Sequence, residues 1–258
     1  MKKLKGCSLI LLVLILGCSN PSGKNASSGQ EELTLFVAAS LTDVVTTLAD
    51  SVEKEHNIHL KLNLASSGTL ARQLKEGMPC DIYFSASKRW MDYVAENGLI
   101  DSTSCCTPVK NSLVLISPKG KLLTDSLATL PSVLDTRLSI GDPVHVPAGK
   151  YAVEALKSIG IYDSLEDRLL PAKDVRSALM VVELGEADFG IVYKTDAMKS
   201  DKVDISATFP DSSHLPIVYH AAIMKSSEKK KSAQKVLEFL TDNKSKDTWI
   251  KYGFQPTH

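Results

Sequence analysis

The chain has 258 residues with 30 basic and 30 acidic side chains, a balance that gives no footing to a nucleic-acid partner or a polybasic membrane surface. Its five cysteines include no Cys-x-x-Cys pair, which leaves a zinc ribbon or thioredoxin-type centre without support. The length suffices for two small lobes or for one larger sheet.

The first 18 residues carry Lys2, Lys3 and Lys5, then the apolar run Leu9–Leu16, then Gly17-Cys18. The apolar run is too short to span a bilayer as a helix and reads as the core of an export signal. Residues 19–31, beginning Ser19-Asn20-Pro21-Ser22-Gly23, read as a flexible tether. Removing residues 1–18 takes away three lysines and no acid, leaving 27 basic against 30 acidic residues, a net charge of −3. Any anion bound by the remainder is therefore not held by bulk charge. Cys80, Cys105 and Cys106 remain after Cys7 and Cys18 are set aside. Adjacent cysteines pair only under strain, so a bridge, if one forms, is expected from Cys80 to one of the other two; free thiols are the simpler expectation.

Leu33–Ala39 is an apolar run that predicts a strand buried on both faces. After it the period changes: Leu41, Val44, Val45, Leu48 and Val52 form one stripe of a helix. Ser40 stands at the junction, either as a simple N-cap or as part of an anion cradle at the helix start. The arrangement recurs. Leu60-Lys61-Leu62-Asn63-Leu64 alternates as a half-buried strand and runs into Ala65-Ser66-Ser67-Gly68, where Ser67 offers an amide and a hydroxyl and Gly68 admits close backbone approach. Cys80–Ser85 reads as a short strand, and Trp90–Asn97 as a helix whose Trp90, Tyr93 and Val94 pack inward.

Leu113–Ile116 predicts a buried strand where the chain crosses between lobes. Leu122–Leu134 reads as helix and loop, and Leu138–Gly141 as a strand leading to Pro147-Ala148-Gly149 at the start of a helix ending near Gly160. Gly149-Lys150 is not a phosphate-binding P-loop, because Val144 and Tyr151 stand where that motif needs Gly and Ser or Thr. Asp174 is placed as the N-cap of a helix carrying Val175, Ala178, Leu179 and Val182. Phe189–Tyr193 predicts a strand ending in a tyrosine that either packs at the rim or turns its hydroxyl to a ligand. Ile217–Ile223 is read as the last strand, and Ala233–Tyr252 as a helix or helix pair burying Val236, Leu237, Leu240 and Trp249. The alternation of strand and helix predicts an α/β fold with parallel-rich sheets.

Taken in order, Val37–Thr42, Ala65–Gln73, Gly141–Pro143 with His145–Gly149, Asp174–Arg176 with Ala178-Leu179, Gly190–Tyr193 with Asp196-Ala197, and Tyr252-Gly253-Phe254 resemble the molybdate-binding proteins of bacterial ABC transporters. Ile15-Leu16-Gly17-Cys18 resembles a lipobox, whose cysteine is lipidated. The first resemblance implies a type II periplasmic-binding-protein fold: two Rossmann-like α/β lobes with mixed, mostly parallel sheets, joined by two crossing strands. Lobe 1 is then expected over 32–112 and 214–258, and lobe 2 over 113–213. It further implies that Ser40, Ser67, Ala148, Val175 and Tyr193 contact the oxyanion, four of them at helix starts. Gly68 replaces a serine of some relatives, a change expected to matter little. His145 and Asp142 are expected to brace their loop. The implied ligand is molybdate or tungstate, with the metal bound only as its oxyanion and no separate cofactor. The implied partner is a membrane permease, and the protein is expected to be a monomer anchored through Cys18 outside the cytoplasm.

Molybdate, tungstate and sulfate carry no proton at neutral pH, so a site for them needs donors alone. Each charge-assisted hydrogen bond contributes about 1.5–3 kcal/mol, and helix N-termini add to it. Sulfate is the nearest competitor, because pocket radius is invisible in sequence. An enzyme is not expected: no Gly-x-Ser-x-Gly or His-Glu-x-x-His is present, and Ser40 has no evident base. A metal receptor using His56, His59, His145 or Asp residues is the other rival, though His56 and His59 flank a polar turn and read as solvated.

Overall fold

The computed structural model describes residues 30–121 and 126–257. The signal segment, most of the tether and Cys18 lie outside these, as do residues 122–125. In chain order the elements are β1 (Glu31–Ala38), α1 (Thr42–His56), β2 (Ile58–Ala65), α2 (Ser67–Lys75), β3 (Ile82–Ser85), α3 (Lys88–Glu96), β4 (Val109–Lys110), β5 (Leu113–Pro118), α4 (Leu130–Val133), β6 (Leu138–Gly141), α5 (Pro147–Ser158), β7 (Leu169–Ala172), α6 (Val175–Glu183), β8 (Phe189–Tyr193), α7 (Lys194–Ala197), β9 (Val203–Thr208), β10 (His220–Ile223), α8 (Lys230–Thr241), α9 (Asn243–Lys251) and β11 (Gln255–Pro256).

Two main sheets divide these strands. The first has the order β10-β3-β1-β2 and the second β7-β6-β8-β5-β9, with β11-β4 a small third pair. In the first sheet β1 runs parallel to both β2 and β3, and β10 closes the edge antiparallel. In the second, β6 is parallel to β7 and β8, while β5 is antiparallel to β8 and β9. The second sheet is therefore evenly mixed and not mostly parallel. The reason is that β5 enters from the crossing segment and runs back along β8.

The apolar patterns account for the packing. Leu33, Leu35, Phe36 and Val37 of β1 are buried, as the unbroken run requires of a central strand. Val44, Val45, Leu48 and Val52 turn the buried face of α1 toward the core. Asn57, in the left-handed region at φ 55°, ends that helix. Trp90 and Val94 are buried on α3, the guanidinium groups of Arg72 and Arg89 lying 5.5 and 5.0 Å from the Trp90 ring.

The chain crosses between lobes just before β5. Asn111 N–H donates to the Ile217 carbonyl at 3.1 Å and Tyr219 N–H to the Val109 carbonyl at 2.9 Å, so the outgoing and returning segments lie side by side. Leu113–Pro118 itself is an inner strand of the second sheet. Residues 217–219 belong to this crossing, and the strand expected from Ile217 starts at His220. β7 and β9 have no signature in the sequence; both are short and partly exposed, without a clean alternation. The C-terminal segment is a helix pair broken at Asp242, which caps the second helix through Asn243 N–H. Cys80, Cys105 and Cys106 are free thiols, so no bridge from Cys80 forms.

Candidate functional site

Six parallel strands end at one place. The segments that end or follow β1, β2 and β3 supply Ala38, Ala39, Ser40, Ser66, Ser67 and Ala86. Those that follow or end β6, β7 and β8 supply Val146, Pro147, Ala148, Asp174, Val175 and Tyr193. Together they line one small cavity between the lobes. The carboxyl edges of parallel strands are where open α/β sheets hold ligands, and here two such edges face each other. Ser40, Ser67, Ala148, Val175 and Tyr193 all line this one cavity and are each no more than 3% exposed.

Each of the five is held differently. Ser40 is not a helix cap. It sits inside the short 3₁₀ turn Ala39–Leu41 that precedes α1, and its hydroxyl lies 2.8 Å from Tyr219 Oη. Ser67 opens α2, while Ser66 is the N-cap and accepts from Thr69 N–H at 3.2 Å. Ser67 Oγ accepts from Ala86 N–H at 3.0 Å, which leaves its proton free to be donated elsewhere.

Ala148 follows Pro147 in the first turn of α5, where early amides have no intrahelical acceptor. Gly149 serves the fold: a Cβ there would stand 1.8 Å from the Gly141 carbonyl oxygen, so its absence lets α5 start hard against the end of β6. Val175 opens α6. Asp174 borders the cavity, but its Oδ1 accepts from Ser177 N–H at 2.7 Å as a helix cap. Tyr193 ends β8, and its fully buried hydroxyl has no hydrogen-bond partner among the described residues. Burial raises this phenol well above its usual range, so it stays protonated and able to donate.

The guanidinium next in sequence to Val175 is engaged by acids. Arg176, next to Val175, forms an ion pair across the cleft with Asp43 of α1, and its Nε lies 2.6 Å from Asp196 Oδ1 at an angle that makes no hydrogen bond. Complete burial pushes the Asp196 carboxyl up to about 7, with Arg176 pulling the other way. Arg176 does not line the cavity. The site is thus a set of amide and hydroxyl donors without a free cation among its lining residues.

Gly68 has a larger part than its sequence position suggests. Its N–H donates to the His145 carbonyl at 3.1 Å, a backbone link from lobe to lobe. A Cβ at Gly68 would lie 2.4 Å from that oxygen and 2.5 Å from the Trp90 ring. A serine is therefore not equivalent here. Asp142 accepts from Val144 N–H at 2.8 Å and lies 3.5 Å from His145 Nδ1, so these two side chains brace their loop. Arg176 and Asp196 lie in blocks that carry the resemblance, with no role assigned to them there, whereas Asn111, Tyr219 and Asp43 do not stand out in the sequence. They sit at the crossing or beside the cavity, and no local motif marks them.

A wider groove of about 320 Å³ lies along the same cleft, between Trp90, Pro147, Tyr151, Leu215 and Pro216. Its walls are mainly apolar, which suits a small dianion poorly. His59 pairs with Glu53 at 3.2 Å, and His56 stands edge-on to Phe239. Among the described residues no three His, Cys, Asp or Glu side chains gather as a metal site, and no helix is long and apolar enough to cross a membrane.

Comparison with known proteins agrees with this architecture. Residues 33–255 match the family model for bacterial extracellular solute-binding proteins. The chain is 40% identical to the molybdate-binding protein ModA of Haemophilus influenzae, over 98% of this chain and 99% of that one. It is 39% identical to ModA of Escherichia coli, over 89% and 91%. The solved periplasmic molybdate-binding protein of Azotobacter vinelandii superposes with a TM-score of 0.78 at 22% identity, covering 86% of this chain and 98% of that one, a likeness of fold. The two-lobe architecture and these matches place the chain in the family of bacterial extracellular solute-binding proteins.

Proposed function

We propose that this protein captures molybdate, and tungstate with it, outside the cytoplasm and delivers it to the permease of an ABC importer. The observation that carries the reading is the convergence of Ser40, Ser67, Ala148, Val175 and Tyr193 on one small cavity, with a buried tyrosine hydroxyl lacking any other partner among the described residues. An unpaired buried hydroxyl costs about 1–3 kcal/mol, and an oxyanion accepting from it would relieve that cost. A dianion without a proton suits a donor-only site, and one that accepts from both lobes favours the closed arrangement. The closed form, with lobe 1 over 32–112 and 214–258 and lobe 2 over 113–213, is then the one the permease recognises.

The anchoring reading belongs to the same proposal. Residues 1–18 act as the lipoprotein signal, Cys18 takes the lipid, residues 19–31 act as the tether, and the receptor works as a monomer. Sequence features alone support this part.

Melting curves of the purified protein with molybdate, tungstate, sulfate, phosphate and Zn²⁺ test the ligand. Molybdate and tungstate are expected to raise the midpoint strongly, sulfate less, and phosphate and zinc little. A large shift with zinc and none with molybdate would overturn the reading, and a preference for sulfate would reassign the oxyanion.

A further inference from the structure

Two side chains beyond the five contact positions lead to Ser40 from the segments that join the lobes, Tyr219 directly and Asn111 through Tyr219. Ser112 N–H donates to Asn111 Oδ1 at 2.9 Å. A backbone amide can only donate, so this end of the Asn111 side chain is its oxygen and the other is its NH₂ group. That NH₂ group donates to Thr195 Oγ1 at 2.8 Å and to Tyr219 Oη at 3.2 Å. Having accepted from Asn111, the Tyr219 hydroxyl has one proton to give, and its other neighbour is Ser40 Oγ at 2.8 Å. Asn111 and Tyr219 are both buried, so water does not compete for these bonds. With Ser40 Oγ accepting from Tyr219, the Ser40 proton must point another way, and Ser40 lines the cavity.

We propose that Asn111 and Tyr219 are positioning residues that set the polarity of Ser40, holding it as a donor to the ligand and removing it as a place where a proton on the ligand could be accepted. This rests on the reading of Ser40 as an oxyanion contact. Ser67 has the same polarity from Ala86 N–H, a backbone donor that only proline at position 86 would remove. At Ser40 the polarity depends on side chains and can be altered. The same Asn111 amide holds Thr195, two residues beyond Tyr193, so one side chain at the crossing braces both halves of the site.

The test compares molybdate with phosphate, which carries a proton near neutral pH, by calorimetric titration at pH 7.5. In Asn111→Asp the carboxylate accepts from Ser112 and from Tyr219. Tyr219 then accepts the Ser40 proton, and Ser40 presents a lone pair to the ligand. Molybdate affinity is expected to fall about tenfold or more, the scale of one charge-assisted hydrogen bond, and phosphate affinity to fall less, so that the ratio narrows. Asn111→Asp made in a Tyr219→Phe background is expected to have a smaller effect on molybdate, since the relay is already cut and only the added charge remains. An unchanged ratio, or an equal effect in both backgrounds, would overturn the proposal.

Should Asn111→Asp fail to fold, Tyr219→Phe alone decides. It is expected to weaken molybdate several-fold in the parent and not in Ser40→Ala, and a loss that persists in Ser40→Ala would contradict the relay. Parent protein that binds no molybdate would defeat the oxyanion reading and this inference together. Tight parent binding without the coupling would defeat the relay alone.

Discussion

Gly68 and His145 meet backbone to backbone across the cleft, the amide of one donating to the carbonyl of the other at 3.1 Å beside the cavity. The approach is possible because position 68 has no Cβ, which would otherwise stand 2.4 Å from the His145 oxygen and 2.5 Å from Trp90. Gly68→Ala is therefore expected to obstruct the closed form. Molybdate affinity should fall by about tenfold or more, which corresponds to about 1.4 kcal/mol or more, with the change mainly in the dissociation rate. Stopped-flow fluorescence reads both rates. An unaltered dissociation rate would mean that the lobes do not close on this contact.

Tyr193→Phe should move affinity and stability in opposite directions. The free protein loses a buried hydroxyl that has no partner among the described residues, so its melting point should stay level or rise. The ligand loses a donor, so molybdate should bind about 10–100-fold more weakly. Melting curves with and without molybdate check both at once. A variant that is less stable when free yet binds as before would place the hydroxyl outside the site.

Asp196 makes stability depend on pH with a definite sign. Its carboxyl titrates near 7 in the folded protein, raised from an ordinary value of 3.8 by complete burial. Between these values the folded state holds more protons than the unfolded state, so this group's contribution falls as pH rises from about 4 through 7. Asp196→Asn, close in shape to the protonated acid, should match the parent near pH 4 and become relatively more stable by pH 7. Chemical denaturation across that range measures the difference. A constant difference between the two proteins would show that Asp196 does not titrate there.

Much of the fold is legible in the amino-acid sequence, and the reasons are local. β1 and α1 can be read because Leu33–Val37 is continuous and Val44, Val45, Leu48 and Val52 recur at helical spacing. Asp174 is legible as a cap because an acid before an apolar stripe has a local use, and it does accept from Ser177 N–H. Ser40 looks like a cap by the same logic and is not one. Its partner, Tyr219, lies 179 residues away in sequence and carries no local signal. Asp43 is hidden for the same reason: it comes from α1 and meets Arg176 of α6 only when the lobes do. Periodicity reports what an element does to its own neighbours. It is silent about contacts that depend on how two lobes face each other.

The central claim is that neutral donors from both lobes hold one doubly negative ion, and calorimetric titration with molybdate tests it most directly. The parent should bind one ion per chain. Ser40→Ala and Ser67→Ala should each bind about 10–100-fold more weakly while the free variants remain folded. Binding as tight in both variants as in the parent, or no binding in the parent, would contradict the account.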